Sequence, residues 1–92
     1  MTNTYCVYMH KNKINGKVYI GQTCQKPEYR WGKEGKGYVN CTHFYRAIQK
    51  YGWNSFEHVI LNSGLSLEEA NLQESYWINY YDSTNEEKGY NI

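Results

Sequence analysis

The alternation of apolar and polar positions along the chain predicts three strands and three helices. Their predicted order is strand 4–10, strand 17–21, helix 27–31, helix 42–51, strand 56–61 and helix 66–81. Asn15-Gly16 separates the first two strands, and this dipeptide favours the tight turn of an antiparallel hairpin. Three strands with helices packed on them indicate an α+β fold, a small α/β sandwich with a three-stranded antiparallel sheet flanked by about three helices.

The predicted hairpin carries a tyrosine on each of its strands. Because successive side chains point to opposite faces of a strand, Tyr8 shares a face with Cys6 and His10, and Tyr19 shares one with Gly21. A plain antiparallel pairing places both tyrosines on the same face, whereas a bulge would separate them. Tyrosine suits a small core and a wet binding face equally well, so this pattern alone leaves both interpretations open.

The last predicted helix has one acidic residue on its apolar side. Ser66 and Glu69 form a capping-box pattern that begins the helix. Glu74 lies inside the apolar stripe, which consists of Leu67, Ala70, Trp77, Ile78 and Tyr81. A carboxylate on a face that meets a sheet is costly unless it is paired or bound to a cation. The pattern therefore predicts either a salt bridge, with Arg30 or Arg46 as partner, or a metal ligand or acid–base group.

The formal net charge of +1 hides a strong asymmetry between the two halves of the chain. Residues 1–50 carry nine lysines and arginines against two acidic residues, and residues 51–92 carry one against seven. A basic half can serve a polyanion, and the alternative is an ordinary solvated surface of mixed charge. Lys33 and Lys36 lie in the glycine-rich stretch 32–38, which is predicted to be a flexible loop that touches phosphates.

Composition excludes several classes of protein. With 92 residues, 40% hydrophobic and 21% charged, the chain is expected to form a single globular domain. Its three cysteines are odd in number and lack CxxC spacing, so we expect free thiols in a reducing compartment and neither a disulfide framework nor a structural zinc site. Neither a membrane-spanning stretch nor a secretion leader is evident, so a cytoplasmic location is predicted. His58, in the third strand, is interpreted as an ordinary strand histidine.

Five short motifs, in order and over nearly the whole length, resemble those of the GIY-YIG nuclease family. They are Cys6-Val7-Tyr8, Tyr19-Ile20-Gly21, Arg30 in YRW, Glu74 in LQESYWI and Asn91 in GYNI. The stretch HFYRAIQKYGWNSFEH is similar to phage-type and homing-type members. The chain departs from the family pattern at Cys6, where glycine is usual, and this leaves Tyr8 in place.

The resemblance implies the GIY-YIG fold and a divalent-metal-dependent endonuclease that hydrolyses DNA phosphodiester bonds. By family analogy, Glu74 binds Mg²⁺ or Mn²⁺, Tyr8 is the general base and Tyr19 orients the phosphate or a water. Arg30 stabilises the transition state, because a planar guanidinium suits phosphoryl oxygens. Asn91 holds the geometry of the site. An additional proton or phosphate contact is expected from one of four residues, and the choice stays open: Lys33, Lys36, Tyr38 or His43.

Residues 1–92 are predicted to be a single nuclease domain, intracellular and of bacterial or phage origin, with no appended DNA-recognition domain. Lys33, Lys36 and Arg46 are expected to contact DNA phosphates, which gives affinity without choice of sequence. One active site cuts one strand, so double-strand cleavage would need a homodimer, a partner protein or two successive events. Two alternatives are a nucleic-acid-binding module of the same fold without catalysis and a protein-interaction domain with an exposed tyrosine face.

Overall fold

A computed structural model describes residues 4–92, so the first three residues of the predicted domain 1–92 lie outside it. The elements are β1 (Tyr5–Asn12), β2 (Val18–Thr23), α1 (Pro27–Trp31), a 3-10 segment (Lys33–Tyr38), α2 (Thr42–Tyr51), a 3-10 turn (Trp53–Ser55), β3 (Phe56–Leu65) and α3 (Leu67–Tyr81). The predicted fold class is confirmed. Within residues 4–92, no helix is long and apolar enough to cross a membrane.

The sheet is antiparallel with the strand order β2-β1-β3. Gly16 adopts a φ of 77°, which a turn of this kind requires and which glycine adopts without strain. Tyr8 pairs with Gly21 and His10 pairs with Tyr19, so Tyr8 and Tyr19 lie on the same face as predicted. The register shifts of the sheet fall between β1 and β3 and leave the hairpin regular over these pairs.

The two faces of the sheet are covered by different helices. Val7, Met9 and Ile20 pack with Ala70 of α3 on one face. Tyr8 lies on the other face, in a cluster with Tyr38, Phe44, Ala47, Ile48, Phe56 and Tyr90. α3 covers the face opposite the tyrosines and contacts β2, the strand at one edge of the sheet. A 2.7 Å hydrogen bond from Gln22 to Asn71 fixes α3 beside that edge.

The C-terminal segment completes the edge of the sheet. Gly89 forms a parallel bridge with Val18, and the Tyr90 amide donates to the Val18 carbonyl at 2.9 Å. Gly89 lies directly against the Ser83 backbone, where an added Cβ would find no room. The last residues of the chain therefore reach the site through backbone pairing with β2.

Two predicted segments differ most from the structure, and β1 and β2 each begin one residue and end two residues later than predicted. β3 continues to Leu65 rather than ending at residue 61. The stretch 32–38 is a packed 3-10 segment instead of a flexible loop, with Glu34 and Gly35 in the left-handed region. A Cβ at Gly35 would meet the Trp53 ring at 2.6 Å, and one at Gly37 would collide with the Arg30 carbonyl. These close contacts, which a sequence pattern does not reveal, hold the segment against α1 and the turn before β3.

Candidate active site

Tyr8 lies at the centre of the site and is only 1% exposed. Its ring crosses over Gly21 on the neighbouring strand, where an added Cβ would meet the Tyr8 hydroxyl oxygen at 2.5 Å and the adjacent ring carbon at 2.6 Å. Real Cβ atoms do not approach other atoms this closely, so any larger residue at this position would force the outer end of the Tyr8 side chain to shift. The third residue of the Tyr19-Ile20-Gly21 motif thus provides the space that the Tyr8 ring occupies.

The electrostatic surroundings of Tyr8 come from three elements. Burial raises the pKa of Tyr8, a hydrogen bond with Tyr38 and the charge of Arg30 oppose this rise, and the charge of Glu74 adds to it. Arg30 on α1 and Glu74 on α3 are therefore both within electrostatic reach of the same hydroxyl, although the two helices lie on opposite faces of the sheet. A cation close to this site would bring the pKa of Tyr8 down towards the neutral range.

Tyr19 lies beside Tyr8 at the wall of a cavity. Its ring stacks on Phe44 with centroids 4.5 Å apart, and burial raises its pKa. Tyr19, Cys41, His43 and Asn91 line a cavity of about 500 Å³. The structure thus places three predicted residues around one cavity: Tyr19 on β2, Asn91 in the C-terminal segment and His43 at the start of α2.

Arg30 is held in place by the 3-10 segment that follows it. Its Nη1 donates to the Gly37 carbonyl at 2.9 Å, and its Cζ lies 4.6 Å from the centre of the Tyr38 ring. The side chain is half-buried. The contact with Gly37 leaves the remaining guanidinium N–H groups for an anionic ligand, since an arginine carries five N–H donors.

Glu74 is a half-buried carboxylate without an ion pair or a hydrogen bond among residues 4–92. Glu74 does not form the salt bridge with Arg30 or Arg46 that the sequence allowed, and in the described part of the chain the ion pair is between Lys88 and Asp82. Burial raises the pKa of Glu74, because the charged form loses part of its hydration. A carboxylate in this condition fits a hard divalent cation.

Residues 4–92 contain no group of three or more His, Cys, Asp or Glu side chains that could hold a metal ion. A cation at Glu74 would therefore have at most one further side chain of these types as a ligand within residues 4–92. Mg²⁺ is commonly bound through one or two carboxylates plus phosphate oxygens, and it keeps several waters. The donor set of this chain thus fits Mg²⁺ better than a metal that requires a complete cage of protein ligands.

Asn91 clamps the free edge of β2. Its Oδ1 accepts from the Ile20 amide and its Nδ2 donates to the Ile20 carbonyl, both at 2.8 Å. The side-chain amide thereby replaces a neighbouring strand and satisfies both backbone groups of one edge residue. Asn91 acts on the position of the tyrosine-bearing strand rather than presenting a free amide to a ligand.

The predicted basic contacts are distributed over the surface rather than gathered at Tyr8. Lys33, Lys36, His43 and Arg46 are all exposed. His43 lines the cavity beside Tyr19, whereas Lys36 lines a separate cavity of about 360 Å³ next to Trp53. Of the four residues considered for an additional contact, Tyr38 is the one that is fully buried, and it lies near enough to Tyr8 to shift its pKa.

Two histidines to which the sequence interpretation gave no site role lie next to these residues. His10 is fully buried, its Nδ1 lies 2.8 Å from the Nδ1 of His58, and its Nε2 lies 2.7 Å from the Tyr38 hydroxyl. Burial, His58 and Arg30 lower the pKa of His10 to about 2, so this ring is neutral. The available signal was the position of His10 two residues after Tyr8, on the same face of β1.

The fold and these residues define a class of catalytic domain. A profile of the GIY-YIG catalytic domain matches residues 4–91, and the chain belongs to the GIY-YIG family. The comparison with curated proteins gave no match.

Among solved structures, the chain is similar to the catalytic domain of the homing endonuclease I-TevI. The TM-score is 0.78 at 29% identity, over 96% of this chain and 97% of that one. A second structure is described as a mutant of the catalytic domain of intron endonuclease I-TevI. It gives the same TM-score and identity over 97% of this chain and 93% of that one.

Proposed function

We propose that this chain is a divalent-metal-dependent DNA endonuclease that hydrolyses phosphodiester bonds. Membership of the GIY-YIG family and the similarity to a homing endonuclease catalytic domain support a nuclease. The observation that carries the metal dependence is the half-buried, unpartnered carboxylate of Glu74 within electrostatic reach of Tyr8. A domain that only bound DNA would have no use for a carboxylate beside the phosphate.

In this proposal each residue has a distinct task. Tyr8 takes the proton from the attacking water, and Tyr19 orients the phosphate or that water from the wall of the cavity. Arg30 neutralises the charge that develops on the phosphoryl oxygens, for which a preorganised planar donor is well suited. Asn91 keeps β2, and with it Tyr19 and Gly21, in register with Tyr8.

Glu74 would hold Mg²⁺ or Mn²⁺. Such an ion supplies positive charge that stabilises the phosphate in the transition state and favours the ionised form of a nearby phenol. This charge is needed because burial raises the pKa of Tyr8, and a tyrosine with a pKa near or above 10 is a poor base at neutral pH. His43 contacts the same substrate from the far side of the cavity.

Lys33, Lys36 and Arg46 contact DNA phosphates outside the reacting centre. All three are exposed, as such contacts require. They add affinity that falls with salt and carry no sequence preference. With a single set of these residues in one chain, the elementary product is a nick, and a double-strand cut requires a second copy, a partner or a second event.

The direct test is the conversion of supercoiled plasmid to open circles in the presence of Mg²⁺, of Mn²⁺ or of EDTA. We expect cleavage with either metal, none with EDTA, and a loss of at least about 10²-fold in Glu74→Gln and in Tyr8→Phe. Glu68→Gln is the matched control, because Glu68 is an exposed glutamate in the first turn of the same helix. It should cleave as the wild type does.

Two results would contradict the proposal in different ways. Undiminished cleavage by Glu74→Gln would mean that the carboxylate is structural and that the metal, if any, is held elsewhere. No cleavage by the wild type with either metal, together with salt-sensitive DNA binding, would favour a binding module of the same fold.

A further inference from the structure

A row of polar groups runs from Tyr8 through the interior of the domain to its other side. The Tyr38 hydroxyl lies 2.7 Å from Nε2 of His10, and Nδ1 of His10 lies 2.8 Å from Nδ1 of His58. Tyr8 lies next to Tyr38, near enough for the two hydroxyls to shift each other's pKa. Tyr8, Tyr38 and His10 have exposures of 1%, 0% and 0%, whereas His58 is only half-buried. The row therefore has one end at the reacting centre and the other end near solvent.

The packing around this row excludes water from its middle. The His10 ring lies within 5.5 Å, centroid to centroid, of six other rings: Tyr8, Trp31, Tyr38, Phe44, Trp53 and His58. A polar side chain in such surroundings is costly unless both of its ring nitrogens are satisfied. Both nitrogens are satisfied by members of the row. An apolar side chain would fill the same space without needing these partners, so His10 is more than a filler of the core.

We propose that Tyr8, Tyr38, His10 and His58 form a proton relay that removes the hydroxyl proton of Tyr8 as its phenolate forms. This inference rests on the proposed function of Tyr8 as a general base. His10 and His58 are positioning residues in it, since they act through Tyr38 and Tyr8 and touch no substrate. They stand on β1 and β3, apart from the five motifs that identify the family.

The step involves three proton transfers and no change in oxidation state. The O–H bond of Tyr8 breaks as its proton binds the Tyr38 oxygen, and the Tyr38 proton passes to Nε2 of His10. The Nδ1 proton of His10 passes at the same time to Nδ1 of His58. Tyr8 is left as phenolate and His58 as imidazolium, which releases its proton to water. His10 only exchanges one tautomer for the other, so no charge is placed on the fully buried ring.

Proton transfer from Tyr8 towards His58 requires particular tautomers of the two histidines before the step. His10 must carry its proton on Nδ1, so that Nε2 accepts from Tyr38, and His58 must be neutral with Nδ1 free to accept. Burial and the charge of Lys13 lower the pKa of His58, while a hydrogen bond with the Trp53 backbone raises it, and the net effect favours the neutral ring. At low pH a protonated His58 donates to His10 instead. The direction of the hydrogen bonds along the row is then reversed, and the proton of Tyr8 cannot be transferred.

Other charged and titratable groups also face the relay and contribute to its pH response. They are Cys6 on β1, Lys13 in the hairpin turn, Tyr19 on β2, Arg30 on α1, Cys41 before α2 and Glu74 on α3. Lys13 acts on His58, Arg30 acts on both His10 and Tyr8, and the others act on the tyrosines. A change confined to His58 therefore tests the solvent end of the relay without disturbing the reacting centre.

The test is the pH dependence of single-turnover plasmid cleavage for the wild type and two His58 variants. His58→Asn retains an acceptor near the position of Nδ1 but cannot take up a proton, and His58→Phe retains the stacking on Trp53, whose ring centroid lies 4.1 Å away. We expect both variants to lose about tenfold to 10²-fold at pH 7.5 and to lack the acid inflection of the wild type. Trp53→Phe, which alters the packing but no atom of the row, should keep that inflection.

Imidazole in the buffer gives a second readout that a merely structural role would not produce. His58→Ala leaves a half-exposed space of the right shape, and we expect imidazole to restore part of its cleavage rate while N-methylpyrrole does not. The melting temperature of each variant separates loss of folding from loss of the relay. Should a variant fail to fold, ¹⁵N NMR of the wild type decides the point, since His10 must be the Nδ1–H tautomer.

Three results would overturn the relay. They are wild-type rates in His58→Asn, persistence of the acid inflection in His58→Phe, and an Nε2–H tautomer at His10. Each of these leaves the endonuclease itself intact. A wild-type protein that does not cleave DNA with Mg²⁺ or Mn²⁺ would instead remove the proposed function, and the relay with it.

Discussion

The contact between Gly21 and Tyr8 makes a strong prediction about Gly21→Ala. An added Cβ would lie 2.5, 2.6 and 2.8 Å from three atoms at the outer end of the Tyr8 side chain. The backbone of Gly21 is an ordinary strand, so the only cost is steric. Overpacking of this kind costs about 1–3 kcal/mol. In a domain of this size, each kcal/mol lowers Tm by about 4–8 °C.

The assay combines thermal unfolding with plasmid cleavage at a temperature where the variant is still folded. We expect a lowered Tm and a loss of cleavage, because the Tyr8 hydroxyl must move to make room for the methyl group. Gly64→Ala is a useful contrast, since Gly64 has a φ of 67° and nothing within 4 Å of an added Cβ. Its cost would come from the left-handed backbone alone, at about 1–2 kcal/mol, and cleavage should persist.

A double-mutant cycle with Tyr8→Leu isolates the cause. Leucine lacks all three atoms that the new Cβ would meet, so Gly21→Ala should cost much less in that background. The expected coupling between the two sites is about 1–2 kcal/mol, within the range seen for residues in contact. An equal cost of Gly21→Ala in both backgrounds would refute the assignment of Gly21 as the space occupied by the Tyr8 ring.

Three further predictions concern other residues of the site. Asn91→Ala removes two hydrogen bonds to the Ile20 backbone and should lower the unfolding free energy by about 1–3 kcal/mol in urea denaturation; an unchanged urea midpoint would contradict the clamp. Because burial raises the folded-state pKa of Glu74, its charge destabilises the fold above that pKa and the penalty disappears below the unfolded pKa. Metal-free Glu74→Gln should therefore be more stable than the wild type at pH 7.5 but not at pH 3. Mg²⁺ should raise the Tm of the wild type and of the control Glu68→Gln but not that of Glu74→Gln. Arg30→Lys keeps the charge but loses the planar fork, so single-turnover cleavage should fall by about 10²-fold with little change in Tm, and a near-normal rate would show that a point charge suffices.

Much of the fold could be predicted from local patterns. The Asn15-Gly16 turn and strict alternation were enough to place Tyr8 and Tyr19 on one face, because a two-residue period leaves little freedom once the hairpin register is set. The capping box at Ser66 and Glu69 is present with both of its hydrogen bonds. The helix 42–51 matches α2 residue for residue.

The parts that could not be predicted depend on contacts between distant segments. Helical periodicity placed Glu74 on the sheet-facing side of α3 but did not reveal that α3 covers the face opposite the tyrosines. The pairing of His10 with His58 depends on a β1–β3 register that shifts twice, and no local pattern specifies such shifts. The hydrogen bonds of Asn91 to Ile20 join residues 71 positions apart, so the family resemblance pointed to Asn91 but no local pattern showed how it acts.

The clamp at the edge of β2 has a consequence for the synthesis of the protein. A ribosome makes Tyr8, Tyr19 and Arg30 early, but the strand that carries Tyr19 keeps an open edge until residues 88–91 emerge. Contacts of such long sequence separation form late and slowly, since the intervening loop must first be closed. We therefore expect the edge of β2, and with it the site, to be completed only after residues 88–91 have been made.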